Sequence, residues 1–227
     1  MCEPKTILCY GDSNTYGYVP STGLRYPENV RWPGVLRKLL DEETQQGGER
    51  YVVIEEGCNG RTASVLPEDE PWKDGRPYLK ACLNSHKPIE WVVLMLGSND
   101  LKHQFHAKPQ DIAGGIRWIL QTIEEFLLDK QGYCPKVLLV SPPLVGKGIE
   151  ESPFADRFSE DAIEKSMKLA ELYEAEAEAF ADDGKGIQCA FLDSSKIIDP
   201  SEIDSLHLMP DAHEKLGQEI AKILLQK

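Results

Sequence analysis

Ser13, Asp204 and His207 are the residue types from which a nucleophile, its base and the acid that orients the base are assembled. A serine hydroxyl is a weak nucleophile near neutral pH, so it needs a base within hydrogen-bond reach. His207 is the candidate base among the five histidines of the chain. Asp204, three residues before it, can curl back to accept the other imidazole N–H, which fixes the tautomer and stabilises the imidazolium. Acyl transfer also needs donors where a tetrahedral oxyanion forms. The backbone N–H of Ser13, the N–H of Gly60 and the side-chain amide of Asn99 are three candidates.

These residues lie in four short clusters, and each of the first three directly follows a strand-like run. Strands are predicted over Lys5–Tyr10, Tyr51–Glu56, Trp91–Leu96, Lys136–Val140 and Ile187–Leu192. The runs are mostly apolar and β-branched rather than alternating, as expected of a parallel sheet covered on both faces. Gly11 to Gly17 follows the first run, Gly57 to Thr62 the second and Gly97 to Asp100 the third; Asp204 to His207 comes after the fifth. Amphipathic stripes between them predict helices. One runs through Trp32, Leu36 and Leu40, another from Ile112 to Leu127, and a third from Ile163 through Met167 to Phe180, with Ser159 as its N-cap. Tyr78–Leu83 is a further helix, and the last begins near Pro210. The order predicts an α/β fold of three layers, a flavodoxin-like doubly wound sheet of five parallel strands with helices on both faces. Ligands bind such sheets beyond the carboxyl ends of the strands, where all four clusters fall.

The 227 residues, 41% of them hydrophobic, suit one domain spanning residues 1–227. A net charge of -13 repels phosphate backbones and anionic lipid, which argues against nucleic acid and membrane as partners. Apolar runs such as Trp91–Leu96 are too short to cross a bilayer, and the N-terminus lacks the apolar core of a signal peptide, so the expected location is cytoplasmic. Six cysteines without a C-x-x-C pair point to neither disulfides nor zinc. His103 and His106 have no third ligand at a sensible spacing, and no metal or organic cofactor is expected.

Taken together, Ser13, Gly60, Asn99 and His207, with Asp204 in an Asp-x-x-His block, resemble the four signature blocks of the SGNH (GDSL-type) hydrolases, in order and over nearly the whole chain. Val30-Arg31-Trp32, Val53 to Gly57, Arg61-Thr62, Met95 to Gly97 and Ser141-Pro142-Pro143 are similar to the bacterial arylesterase and acyltransferase branch. The resemblance implies a cofactor-free serine esterase acting on small acyl or aryl esters. It also implies acyl transfer to alcohols or hydrogen peroxide in some members, and homo-oligomers in some. Asn14 departs from the GDSL label, which expects leucine after the nucleophile. The segment Lys147–Phe158 has no clear counterpart and is expected to form a lid or an oligomer contact.

Asn14, Tyr16, Asn59, Lys102 and Phe154 are the residues expected to line the substrate pocket, with Tyr18 and Phe105 as further aromatics; Trp32 suits core packing equally well. Asp12 is read as holding the turn around Ser13, Arg61 as ordering the second loop, and His213 as a structural neighbour outside the triad. A carbohydrate acetylesterase could use the same triad. In a different class, Ser13, Asn14 and Thr15 could cradle a phosphate as in flavin mononucleotide binders, but that reading leaves Asn99, Asp204 and His207 without a task.

Overall fold

A computed structural model describes residues 3–181 and 188–226. Five strands, β1 (Lys5–Gly11), β2 (Tyr51–Gly57), β3 (Trp91–Met95), β4 (Lys136–Val140) and β5 (Cys189–Leu192), form one sheet. All neighbours are parallel and the order is β2-β1-β3-β4-β5. The predicted strands match these within two residues; Ile187, like Cys2, lies outside the described residues.

Among the described residues six α-helices complete the layers: α1 (Ser13–Tyr16), α2 (Trp32–Gln45), α3 (Gly75–His86), α4 (Pro109–Gln131), α5 (Asp161–Ala181) and α6 (Pro210–Leu225). Strand residues feed the two faces in alternation. Leu8, Tyr10, Val92, Leu94, Val137 and Leu139 join one core with α3, α4 and α5. Ile7, Cys9, Val93, Met95, Leu138 and Val140 join the other with α2 and α6. This two-sided burial is why the strands read as continuous apolar runs. Trp32 is fully buried in the second core, so it packs rather than lines a pocket.

Two local expectations differ. Met167 is exposed, because the buried positions of α5 run Ala162, Ser166, Leu169, Tyr173 and Ala177, and a residue one step from that row turns outward. Ser159 donates its hydroxyl to the Asp161 carboxylate at 2.5 Å instead of accepting a backbone N–H. Among the described residues no helix is long and apolar enough to cross a membrane.

The chain leaves β1 for β2 on one side and returns to β3 on the other. The switch in strand order therefore lies between β1 and β3, the strands that lead into Ser13 and Asn99.

Candidate active site

The loop after β1 is held tightly. A Cβ on Gly11 would stand 2.1 Å from Thr15 Oγ1 and 2.7 Å from the Met95 carbonyl, so only glycine fits between the strand and the turn. Asp12 caps the single turn α1, accepting the Asn14 N–H at 2.9 Å, which is the turn-holding role read from sequence. Burial pushes the Asp12 carboxyl up to about 6. Ser13 is the first residue of that turn, where the backbone N–H has no intrahelical acceptor.

Ser13, His207 and Asp204 are brought together across 194 residues of chain. Ser13 Oγ lies 2.9 Å from His207 Nε2, and His207 Nδ1 lies 2.7 Å from Asp204 Oδ2. Asp204 Oδ1 accepts the backbone N–H groups of Leu206 and His207 at 3.1 and 2.9 Å. Ser205 makes this curl possible by adopting the left-handed conformation at φ 58°. Burial raises the Asp204 carboxyl, but the His207 ring and those two N–H groups outweigh it and hold it below the usual carboxylate range. All three residues are buried, and two aromatic rings pack on the imidazole. The Tyr18 ring stacks on it at 4.2 Å and Phe154 lies 5.4 Å away.

Gly60 and Asn99 line the same cleft as Ser13 and His207. Gly60 sits at φ +83°, and a Cβ there would meet the Lys73 side chain at 2.9 Å. Its N–H donates to no acceptor among the described residues. Asn99 Nδ2 gives one hydrogen to the Arg61 carbonyl at 3.1 Å. The other faces Asp12 Oδ2 at 3.5 Å, too long for a firm bond and so available to an oxyanion. Asp100 ties the two loops by accepting the N–H groups of Ala63, Ser64 and Val65 and the Ser64 hydroxyl. Arg61 orders the second loop as expected, donating to the Gly11 and Glu56 carbonyls with its guanidinium over Tyr10.

Of the expected pocket residues, Asn59, Lys102 and Phe154 line the cleft, which has a volume of about 150 Å³. Asn14 and Tyr16 do not. Successive residues of a helical turn point about 100° apart, so Asn14 faces the Leu206 carbonyl at 3.5 Å and Tyr16 stacks under Arg25. Tyr18, Lys73, Arg157, Phe158 and Leu206 complete the wall. Tyr18 was an aromatic candidate, whereas Lys73 carried no local signal. It arrives through an isolated parallel bridge between Thr62 and Asp74. Arg157 and Phe158 come from the segment 147–158, for which the resemblance offered no clear counterpart.

His213 is structural. Its Nδ1 accepts the N–H of Trp32, one of the orphan donors at the start of α2. Burial, with His207 and Arg31 nearby, pushes it down to about 3. Away from the cleft, Glu56, Cys82 and His86 place one metal-ligating atom each within 4.8 Å of one another, and His86 Nε2 already bonds Glu56 at 3.0 Å.

Residues 9–215 match the GDSL-like lipase/acylhydrolase family. An aryl esterase of M. Smegmatis, solved with an inhibitor bound, is 32% identical with a TM-score of 0.85, over 97% of this chain and 98% of that one. Est24, a carbohydrate acetylesterase from Sinorhizobium meliloti, is also 32% identical, with a TM-score of 0.84 and the same coverage. A putative arylesterase from Agrobacterium tumefaciens str. C58 is 31% identical at a TM-score of 0.80, again over 97% and 98%. No curated protein matches the chain.

Proposed function

Because this chain belongs to the GDSL-like lipase/acylhydrolase family and is a hydrolase of ester bonds, we propose that it cleaves esters of short acyl groups through an acyl-enzyme on Ser13. The observation that carries this is the unbroken line of contacts from Ser13 Oγ through His207 to Asp204, at 2.9 and 2.7 Å. In the first step Ser13 Oγ bonds to the ester carbonyl carbon as His207 Nε2 takes its proton. The carbonyl oxygen becomes an oxyanion, met by the N–H groups of Ser13 and Gly60 and the free hydrogen of Asn99. Collapse breaks the bond to the alcohol oxygen, which leaves with the proton from His207. Water then gives a proton to His207 and attacks the acyl carbon, and Ser13 leaves with that proton restored. An alcohol or hydrogen peroxide in place of that water makes the same second half an acyl transfer.

Asp204 keeps the proton of neutral His207 on Nδ1, leaving Nε2 as the base, and offsets the imidazolium charge. The cleft of about 150 Å³ supports a small acyl group. A second reading, release of acetyl groups from carbohydrate, is favoured by the likeness to Est24. The deciding experiment is p-nitrophenyl acetate turnover by wild type and Ser13→Ala side by side. Loss on the order of 10⁴-fold or more in kcat is expected. Equal rates in both proteins would end the proposal, and acetylated xylan fragments as rival substrates would test the second reading.

A further inference from the structure

Three cations line the cleft of a chain whose net charge is -13: Lys73, Lys102 and Arg157. Two of them are already engaged. The Lys73 ammonium bonds Glu70 and lies 5.1 Å from the Trp72 ring centre, and its stem packs on Gly60. Arg157 is about half exposed with Asp156 beside it at 3.8 Å. The Lys102 ammonium is different. Among the described residues it has neither an ion pair nor a hydrogen bond, although most of its side chain is enclosed.

The acids whose field reaches Lys102 are engaged elsewhere, Glu70 with the Lys73 ammonium. Asp100 accepts the three backbone N–H groups and the hydroxyl of the 63–65 turn. Asp12 accepts the Asn14 N–H and faces Asn99. Burial, then repulsion from Lys73 and Arg157, pushes Lys102 down to about 8, so it still carries its charge at neutral pH. An enclosed cation without a counter-ion costs free energy that an incoming anion recovers.

We infer that the cleft selects esters bearing a carboxylate, with Lys102 as the residue that pairs with it and Lys73 and Arg157 reinforcing the field. The inference rests on the reading of Ser13 as the nucleophile, since the carboxylate is placed by the ester that Ser13 attacks. A positive mouth on a negative surface also concentrates anionic substrate while repelling it elsewhere. The carboxylate can belong to the acid or to the alcohol portion of the ester, and the two sources are separable.

Two charged and neutral pairs make the test: p-nitrophenyl hemisuccinate against p-nitrophenyl butyrate, and p-acetoxybenzoate against p-acetoxybenzamide. The readout is the charged-to-neutral ratio of kcat/KM within each pair. In wild type at low salt, one pair is expected to favour the charged ester by roughly 10-fold. Preference in the first pair assigns the carboxylate to the acid portion, and preference in the second assigns it to the alcohol portion. Lys102→Met and high salt should each bring that ratio close to one, and Lys102→Arg should restore it. Wild-type ratios at or below one in both pairs, or a preference that survives in folded Lys102→Met, would overturn the inference. If Lys102→Met does not fold, the salt dependence in wild type decides, because a preference insensitive to salt counts against pairing with Lys102. Ser13→Ala keeps the two claims apart. Hydrolysis of the neutral esters without Ser13 sinks the nucleophile assignment, whereas Ser13-dependent hydrolysis with no charge preference sinks only the selection.

Discussion

The ring of Tyr18 lies stacked on that of His207, with centroids 4.2 Å apart and planes 29° from parallel. Nδ1 and Nε2 of the imidazole are engaged by Asp204 and Ser13, so Tyr18 supplies the flat surface that fixes the ring plane. Its role is positioning rather than chemical. Tyr18→Ala is expected to lower kcat about 10-fold, the scale of one aromatic contact, while Tyr18→Phe stays close to wild type. A p-nitrophenyl acetate assay of both variants checks this. Equal losses in the two would point to the hydroxyl instead.

Asp204→Asn should fold, because an amide oxygen can still accept the N–H groups of Leu206 and His207. Turnover should nevertheless fall about 10³–10⁴-fold, since the amide no longer holds the Nδ1 proton or balances the imidazolium. Thermal denaturation beside kcat separates the two effects. Turnover within a few-fold of wild type would remove Asp204 from the mechanism.

Gly60→Ala meets two obstacles, a φ of +83° and the Lys73 stem at 2.9 Å. The left-handed conformation costs an alanine roughly 1 kcal/mol, so the protein should remain folded with a slightly lower Tm. The displaced N–H should cost about 10²-fold in kcat with little change in KM. A rise in KM at constant kcat would indicate that Gly60 only shapes the entrance.

Acid should destabilise the protein through His213. This group is neutral in the fold down to about pH 3 but takes a proton near pH 6.5 when unfolded. Its contribution is therefore complete above about pH 6.5 and shrinks as pH falls towards 3, by several kcal/mol over that span. Asp12 works in the opposite sense, because the cost of its buried charge is relieved as pH drops through about 6. His213→Asn leaves an acceptor for the Trp32 N–H and removes the titration. The variant should be less stable at pH 8 but lose less Tm than wild type between pH 7 and pH 4. Parallel curves would refute the assignment.

The sequence made the sheet and its functional edge readable because the strands are mostly apolar runs and the first three lead into glycines, Gly11, Gly57 and Gly97. Residues carried directly by strand ends, such as Ser13 and Asn99, could be placed by that logic alone. Lys73 could not, since only the Thr62–Asp74 bridge brings it beside Gly60. Asn14 and Tyr16 failed for the converse reason: adjacency to Ser13 in a helical turn sends their side chains elsewhere. Met167 shows the limit of an apolar stripe, where one step in register separates core from solvent.

The segment 147–158 is anchored at both ends. Gly146 donates its N–H to the Ser205 carbonyl at 2.8 Å, and the Arg157 carbonyl accepts the His103 N–H at 2.9 Å. One anchor belongs to the loop that carries the base and the other to the loop that follows Asn99. Between them the chain supplies Phe154 to the cleft without contributing to the triad. That stretch therefore combines a core anchor, Ile149, with a cleft residue, Phe154. Exchange of Phe154 with Ile149 kept should change substrate range while Ser13, Asp204 and His207 stay in place, a change that kcat/KM over a series of esters would read.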